Sequence, residues 1–186
     1  MTAARDVGLL ALRLGVGGTL VAHGSQKLFG WFGGAGLDKT AATFDGIGFR
    51  PGKANAVAAG LGEAGGDALL AVGAGSPGAA AAVAGTMVVA SSMHAANGFF
   101  SSNGGFEFPA LLGASATALA LTGPGTLSVD HALGHRLNQP WMRTLALTAV
   151  VPAAYAVIAR RRRAVASTPP TPEPVAGETA ETAQPG

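Results

Sequence analysis

Five ionisable side chains stand in the apolar stretches of this chain of 186 residues, and they are the groups with which it could do chemistry. They are Arg13, His23, Glu63, Asp67 and His94. An ionised side chain at the centre of a bilayer costs roughly 2.5–3.5 kcal/mol, so such groups are usually paired and usually functional. These residue types suit proton handling, ion binding or contact with the headgroup of a ligand.

The composition around these five groups is that of a membrane protein. Charged residues form 12% of the chain, against about 25% in soluble proteins, and the mean hydropathy is +0.37. A formal net charge of +2 is too small to indicate a nucleic-acid partner. The chain has no cysteine, which excludes disulfides, thiolate chemistry and Cys-ligated metal centres within it.

Five apolar runs predict an all-α integral membrane bundle, in which four helices form the core and a fifth transmembrane helix follows. The runs are Val7 to Leu28, Ala54 to Gly73, Ala79 to Phe100, Phe108 to Thr122 and Trp141 to Ala159. We expect a four-helix membrane domain over residues 1–135 and an additional helix with a basic cytoplasmic flank over 136–163. The Pro-rich segment 164–186 is expected to be disordered.

The loop after the first run carries a second, shorter helical pattern. Leu37, Ala41, Phe44 and Ile47 recur at helical spacing, opposite charged residues. This pattern predicts a short helix that lies in the membrane interface, and a solvated loop is the alternative.

The distribution of Lys and Arg predicts the orientation. Eight of the twelve fall in the first loop or after the last helix: Lys27, Lys39, Arg50, Lys53 and Arg160 to Arg163. Only Arg5, Arg136 and Arg143 fall on the other side. By the positive-inside rule, the N-terminus lies outside and the C-terminus in the cytoplasm. All eight phenylalanines fall on the predicted cytoplasmic side, where they could form an aromatic belt.

Depths counted from the predicted cytoplasmic helix ends divide the polar groups into two layers. Arg13 lies roughly 21 Å and Asp67 roughly 20 Å deep, so these two could form an ion pair. Glu63 lies roughly 13 Å deep, on the same face as Asp67. This deeper layer is either a structural charge pair or a proton relay.

The shallower layer contains the candidate ligand site. His94 lies roughly 9 Å and His23 roughly 7 Å deep. Lys27, Asn97, Asn103 and Glu107 lie nearer the surface. We take His23, His94 and Glu107 as catalytic candidates and the other three as ligand-binding candidates. Two histidines at similar depth also permit haem ligation, which we disfavour because it rests on two residues alone.

A third polar group lies in the loop before the last run. His131 and His135 are spaced i, i+4 beside Asp130 and would suit a metal ion on a helix. We expect a polar outer loop there and no metal site.

Four segments together resemble the DoxX family of small bacterial membrane proteins. They are "LRLGVGGTLVAHGSQKLFG", "GLGEAGGDALLAVG", "MHAANGFFSSNGGFEFPALL" and "LTGPGTLSVD", and the resemblance spans Leu9 to Asp130. The positions that match the recurrent family pattern are Arg13, His23, Gly24, Lys27, Glu63, Gly65, Gly66, His94, Gly104, Gly105 and Glu107. The resemblance implies a four-helix bundle in a bacterial plasma membrane, from which the fifth helix and the tail depart.

The resemblance also implies a function. Some DoxX proteins are linked to sulfur oxidation with quinone as acceptor, as a small membrane subunit, and others to complexes that handle oxidative stress. We therefore expect a membrane subunit or partner of a quinone-linked oxidoreductase or of an oxidative-stress complex, with quinone as the candidate ligand and no covalently bound cofactor. The expected partners are the lipid bilayer, a redox protein and a second copy of the chain. The alternatives are a bundle that binds a ligand or transports a small molecule with or without protons, and a non-catalytic membrane scaffold. Enzyme activity of the chain alone stays open.

Overall fold

A computed structural model describes residues 3–167, which form helices, turns and loops without a strand in that range. The helices are α1 (Ala3–Phe29), α2 (Gly36–Gly46), α3 (Gly52–Leu61), α4 (Asp67–Val72), α5 (Ser76–His94), α6 (Glu107–Thr122), α7 (Val129–Ala132) and α8 (Pro140–Ala166). A π-helical turn, Gly62–Gly66, joins α3 to α4, so residues 52–72 run as one helix. The all-α bundle is thereby confirmed.

Glycines set the packing of α1 against residues 52–72. A Cβ on Gly24 would lie 2.5 Å from the amide nitrogen of Ala64, and one on Gly17 would lie 2.6 Å from the carbonyl oxygen of Asp67. Gly60 fits under Leu28 in the same way. Such small residues let two helix backbones approach closely in lipid, where burial of apolar surface does not drive association. The two helices are therefore antiparallel, with Gly17 opposite Asp67 and Gly24 opposite Gly60.

The core lies where α5 and α6 pack against this pair. A tight turn at Gly73 to Gly75 reverses the chain into α5, and the loop 95–106 reverses it again into α6. The buried apolar side chains come from all these helices and include Val16, Leu20, Leu70, Val83, Met87, Leu112 and Leu119. Gly113 packs against Met87, which keeps α5 and α6 close at mid-length.

The last helix, α8, lies on the outside of α5. Val150 packs over Gly85, and Arg161 donates a hydrogen bond from Nε to the carbonyl oxygen of Ile47 at 2.9 Å. Much of its remaining surface is exposed and apolar, for example at Leu145, Val151 and Tyr155. An outer surface of this kind suits lipid better than water.

The bundle has two ends, which we name by one residue each. The Arg13 end holds the start of α1, the turn 73–75, the loop 123–138 and the start of α8. The Lys27 end holds the end of α1, helix α2, the loop 95–106 and the end of α8. The contact of Arg161 with Ile47 brings the basic residues of the first loop and those after the last apolar run to the same end, as predicted.

Within residues 3–167, three helices are long and apolar enough to cross a membrane: Ala3–Phe29, Ser76–Asn97 and Pro140–Ala166. Helix α6 is apolar but has only 16 residues, and the continuous helix 52–72, which contains the π turn, is not among the three. Five crossings therefore stay a prediction.

Two local predictions can be compared with these bounds. The short helix of the first loop is confirmed as α2, whose Thr40 and Ala41 are buried. The tail was predicted to begin at residue 164, but α8 continues to Ala166, because the alanine and arginine residues there favour helix. Residues 168–186 lie outside the described range.

Candidate functional site

The candidate site lies between α1 and the π turn. Lys27, in the last turn of α1, forms an ion pair through Nζ with Oε2 of Glu63. Its side chain is 26% exposed and that of Glu63 is 10% exposed. Within residues 3–167, no other pair of charged groups forms such a bridge. Gly24 lies one turn before Lys27 and allows the approach of the backbones that this pair requires.

Asp67 is the second carboxylate of the site. It lies one turn beyond Glu63, at the start of α4, and only 3% of it is exposed. Its carboxylate accepts no hydrogen bond and forms no ion pair with any residue between 3 and 167. A buried carboxylate without such a partner is costly, and it is therefore uncommon outside functional sites.

A small cavity lies beside both carboxylates. Its volume is about 30 Å³, and its walls come from the π turn and from α5. The lining residues are Leu20, Gly62, Glu63, Gly66, Asp67, Ala82, Val83, Thr86 and Met87. A cavity that holds one water needs roughly 10–15 Å³ and polar partners, both of which are present here.

The π turn positions these groups. In a π turn each amide reaches the carbonyl five residues earlier, and such turns are frequent at functional sites. The segment is Gly62–Gly66, with Glu63 as its one charged residue. The turn lets Glu63 face Lys27 while Asp67 faces the cavity.

The arrangement can bind one positive charge. Two carboxylates and one ammonium leave the site one cation short when all three are ionised. In surroundings of low dielectric constant an unbalanced charge is expensive, so the site gains by taking up a proton or another small cation.

The predicted shallow layer does not join this site. His94 hydrogen bonds through Nδ1 to the carbonyl oxygen of Gly104 at 2.9 Å, and Asn97 donates to the same oxygen at 3.1 Å. Glu107 accepts a hydrogen bond from the amide of Ser101 at 3.0 Å. These residues therefore hold the loop 95–106 in shape, and Asn103 lies exposed in that loop.

His23 makes a different contact. Its ring lies 5.8 Å from that of Phe108, so it joins α1 to the start of α6. Lys27 was grouped with the histidines and Glu107 by depth, but it pairs with Glu63. The structure thus divides the six predicted ligand-site residues among a loop, a helix contact and the carboxylate site.

The suggested pair of Arg13 with Asp67 is wrong. Arg13 is fully buried and donates from Nη2 to the carbonyl oxygen of Leu127, close to Gly73. The predicted depths assume that Leu28 and Ala54 lie at the same height in the bundle, but Leu28 packs on Gly60. The helix of residues 52–72 therefore starts beyond the end of α1. Asp67 lies opposite Gly17, about one turn from Arg13.

Two aspartates at the Arg13 end have roles that the sequence did not reveal. Asp130 accepts hydrogen bonds from the amides of Gly75 and Ser76 at 2.8 and 2.9 Å, and so caps α5. Asp6 accepts from the amide and the hydroxyl of Thr126 at 3.1 and 2.8 Å. The hydrogen bonds of both aspartates join residues that are far apart in the chain. The one local signal is the position of Asp6 in the first turn of α1, where an acidic residue is favourable.

The His131 and His135 pair has no third ligand. Their rings contact each other, with Nδ1 of His131 at 3.1 Å from Nε2 of His135. Asp130 is engaged at Gly75 and Ser76 instead. Throughout residues 3–167, no three His, Asp or Glu side chains cluster in a way that could hold a metal ion.

The comparisons with known proteins concern the part of the chain that holds the carboxylate site. A sequence model of the DoxX family matches residues 8–96. Residues 8–96 therefore carry a DoxX domain. Neither a curated protein nor a solved structure matches it. The DoxX match and the apolar helices together indicate a membrane protein.

The DoxX match covers the carboxylate site but not the whole bundle. Lys27, Glu63 and Asp67 fall within it, as do Arg13, His23 and His94. Glu107 and Asp130 fall outside it. The resemblance in the sequence extends to Asp130, so its part after residue 96 stays a prediction.

Proposed function

We propose that this DoxX protein is a membrane subunit that takes up and releases a proton at Lys27, Glu63 and Asp67 while a redox partner works on the quinone pool. The observation that carries the proposal is the buried Asp67, which no other described side chain or amide satisfies, beside a cavity of about 30 Å³. Quinone reduction consumes protons, so a membrane subunit with a proton-binding site suits a quinone-linked complex.

The charge balance of the site supports proton exchange. When Asp67 is neutral, Lys27 and Glu63 compensate each other. When Asp67 is ionised, the site holds one negative charge more than it can pair. Glu63 lies next to both the ammonium and the cavity. A water in the cavity can therefore transfer a proton between the two carboxyl groups.

The Lys27 end is where we place the quinone contact. His23 can exchange a proton with a quinone carbonyl, and aromatic side chains around it can pack on the ring. Phe108 contacts His23, and Phe29 packs against Trp31 at 5.1 Å. Quinone is proposed here as a ligand at this end, and the electron-transfer step belongs to the partner.

The orientation is proposed with the Lys27 end in the cytoplasm of a bacterial cell and the N-terminus outside. Eight Lys and Arg residues at that end support it. Because the chain has no cysteine, Lys39→Cys or Leu133→Cys would supply its one thiol. Labelling of intact cells by an impermeant reagent should reach Leu133→Cys and not Lys39→Cys, and the opposite result would reverse the orientation.

Infrared spectroscopy of the purified protein tests the proton site. A pH titration in nanodiscs should show a carboxylic-acid carbonyl band that disappears in Asp67→Asn. The control Asp38→Asn, at an exposed position of α2, should leave the band unchanged. A band that persists in both Asp67→Asn and Glu63→Gln would refute proton exchange at this site.

Quinone binding can be tested separately. The chain has two tryptophans, and Trp141→Phe leaves only Trp31, four residues after Lys27. A quinone analogue should quench this remaining fluorescence saturably, and His23→Leu should weaken the effect. Trp31→Phe, which leaves only Trp141 at the opposite end, is the control. Equal quenching of both tryptophans would refute a quinone site at the Lys27 end without touching the proton site.

A second candidate function is cation transport by the bundle itself. The specific observation is that Gly62, Ala82 and Thr86, which line the cavity beside Asp67, are exposed at the surface of the bundle. Liposomes that contain the protein alone should stay tight to protons if a partner is needed. Acidification that Asp67→Asn abolishes would favour transport instead.

A further inference from the structure

A second cavity lies at the Lys27 end, where α8 meets the segment between α2 and α3. Its volume is about 70 Å³, and its lining includes Phe49, Arg50, Asn55, Val157, Arg160 and Arg161. Three of these side chains are cationic and none is acidic. The cavity does not overlap with the carboxylate site.

Arg161 is held in place at this cavity. Its Nε donates to the carbonyl oxygen of Ile47 at 2.9 Å, and its guanidinium lies 5.8 Å from the centre of the Phe49 ring. Gly48 is close to the same helix, since a Cβ there would lie 2.6 Å from Cγ2 of Val165. One edge of the guanidinium is thereby fixed, and its two terminal nitrogens make no hydrogen bond to residues 3–167. A planar donor fixed in this way suits an oxyanion.

Asp45 is not among the residues that line the cavity, and it forms no ion pair with a described residue. It accepts a hydrogen bond from the amide of Gly52 at 2.6 Å, at the start of α3. Arg50 donates from Nε to the carbonyl oxygen of Asp45 at 3.3 Å, which orients its side chain without pairing its charge. Arg160 forms no ion pair with any described residue.

The position along α8 indicates which anion would meet these groups. The apolar part of α8 ends at Ala159 and the four arginines follow at once, which is the depth at which phospholipid headgroups begin. Basic pockets between helices at this depth are typical sites for anionic headgroups.

We propose that Arg50, Arg160 and Arg161 bind the phosphate of an anionic phospholipid, with the acyl chains along the apolar face of α8. Bound there, the lipid would tie α8 to the segment 47–55 and so attach the added helix to the DoxX domain.

Native mass spectrometry of the full chain in detergent tests the proposal, with phosphatidylglycerol, cardiolipin and phosphatidylcholine as probes. We expect saturable binding of one anionic lipid and no such binding of phosphatidylcholine. The double variant Arg50→Gln with Arg160→Gln should weaken binding of the anionic lipid by at least about tenfold. The matched control, Arg162→Gln with Arg163→Gln, removes the same charge from exposed positions outside the cavity and should change binding at most about twofold.

Three results would overturn the proposal. They are an equal loss in both double variants, equal binding of phosphatidylcholine, and competition by inorganic phosphate that is as effective as the lipid. The last result would identify a site for free phosphate. Arg161→Lys serves as a second variant, because it keeps the charge but removes the planar donor, and it should weaken binding of the anionic lipid while the helical content stays unchanged.

Discussion

Two regions of the bundle, the Arg13 end and the carboxylate site formed by Lys27, Glu63 and Asp67, bury charge in different ways. At the Arg13 end, the carboxylates of Asp6 and Asp130 each accept two hydrogen bonds, and those of Asp130 cap α5. At the carboxylate site, Glu63 pairs with Lys27, but Asp67 is 3% exposed and accepts no hydrogen bond from a described residue. The first region uses charge to close the fold, and the second leaves a carboxylate facing a cavity.

This difference separates structural from functional charge where burial alone cannot. Asp130 and Asp67 are both buried, so their exposure does not distinguish them, but their hydrogen-bond partners do. A carboxylate saturated by backbone amides contributes to stability, because its removal leaves those amides unpaired. A carboxylate without partners contributes little to stability and is free to exchange a proton.

The largest effect is expected at Gly73, which holds the Arg13 end together. Gly73 has φ 70, and a Cβ there would overlap Nη1 of Arg13 and lie 2.7 Å from Ser128. Gly73→Ala should lower the free energy of unfolding by about 2–5 kcal/mol, as the sum of backbone strain and overpacking. Thermal unfolding in detergent measures it.

Gly75 offers the matched control in the same turn. Its φ is 55, but nothing lies within 4 Å of its Cβ position. Gly75→Ala should therefore cost only the backbone strain, about 1–2 kcal/mol. Equal losses at both glycines would contradict the crowding around Arg13.

The next effect concerns the packing that brings Lys27 to Glu63. Gly24→Ala would place a Cβ 2.5 Å from the amide nitrogen of Ala64, and we expect it to cost about 1–3 kcal/mol. Gly18→Ala, on the open face of the same helix, meets no atom within 4 Å and should stabilise by about 0.5–1 kcal/mol. If Gly24→Ala were as harmless as Gly18→Ala, the close helix contact would be refuted.

A smaller effect is expected for the ion pair itself. Lys27→Met should cost about 1–2 kcal/mol, less than the 3–5 kcal/mol typical of fully buried pairs, because the lysine is 26% exposed. Adding Glu63→Gln should recover part of the loss, with a coupling of about 1 kcal/mol in a double-mutant cycle. Lys39→Met, at an exposed position, is the control. Additive single effects would mean that the pair does not form.

The helices and the identity of the site residues were predictable from the sequence. Apolar runs between Gly and Pro turns gave the bundle, and helical spacing gave α2. Glu63 and Asp67 stand out as charges in apolar surroundings, and Lys27 as a ligand-binding candidate nearer the surface. These are local signals, since each needs only a residue and its neighbours.

The partners of these residues were not predictable. Depths counted along single helices place Asp67 beside Arg13, but the register of two helices is set by close contacts at Gly17, Gly24 and Gly60. Any glycine-rich helix offers several such registers. The bond of Asp6 to Thr126 joins residues 120 positions apart, and its one local signal, an acidic residue in the first turn of α1, does not identify the partner.

The most direct test compares Asp67→Asn with Asp130→Asn, because both remove one buried carboxylate and keep its size. Unfolding of each purified variant in the same detergent, followed by circular dichroism, supplies the measurement. We predict that Asp130→Asn loses about 2–4 kcal/mol, since an amide group cannot accept from both Gly75 and Ser76 with its two terminal atoms. We predict that Asp67→Asn stays within about 0.5 kcal/mol of the wild type or gains stability. Equal losses in the two variants would contradict the division of the buried charges into a structural Arg13 end and a functional carboxylate site.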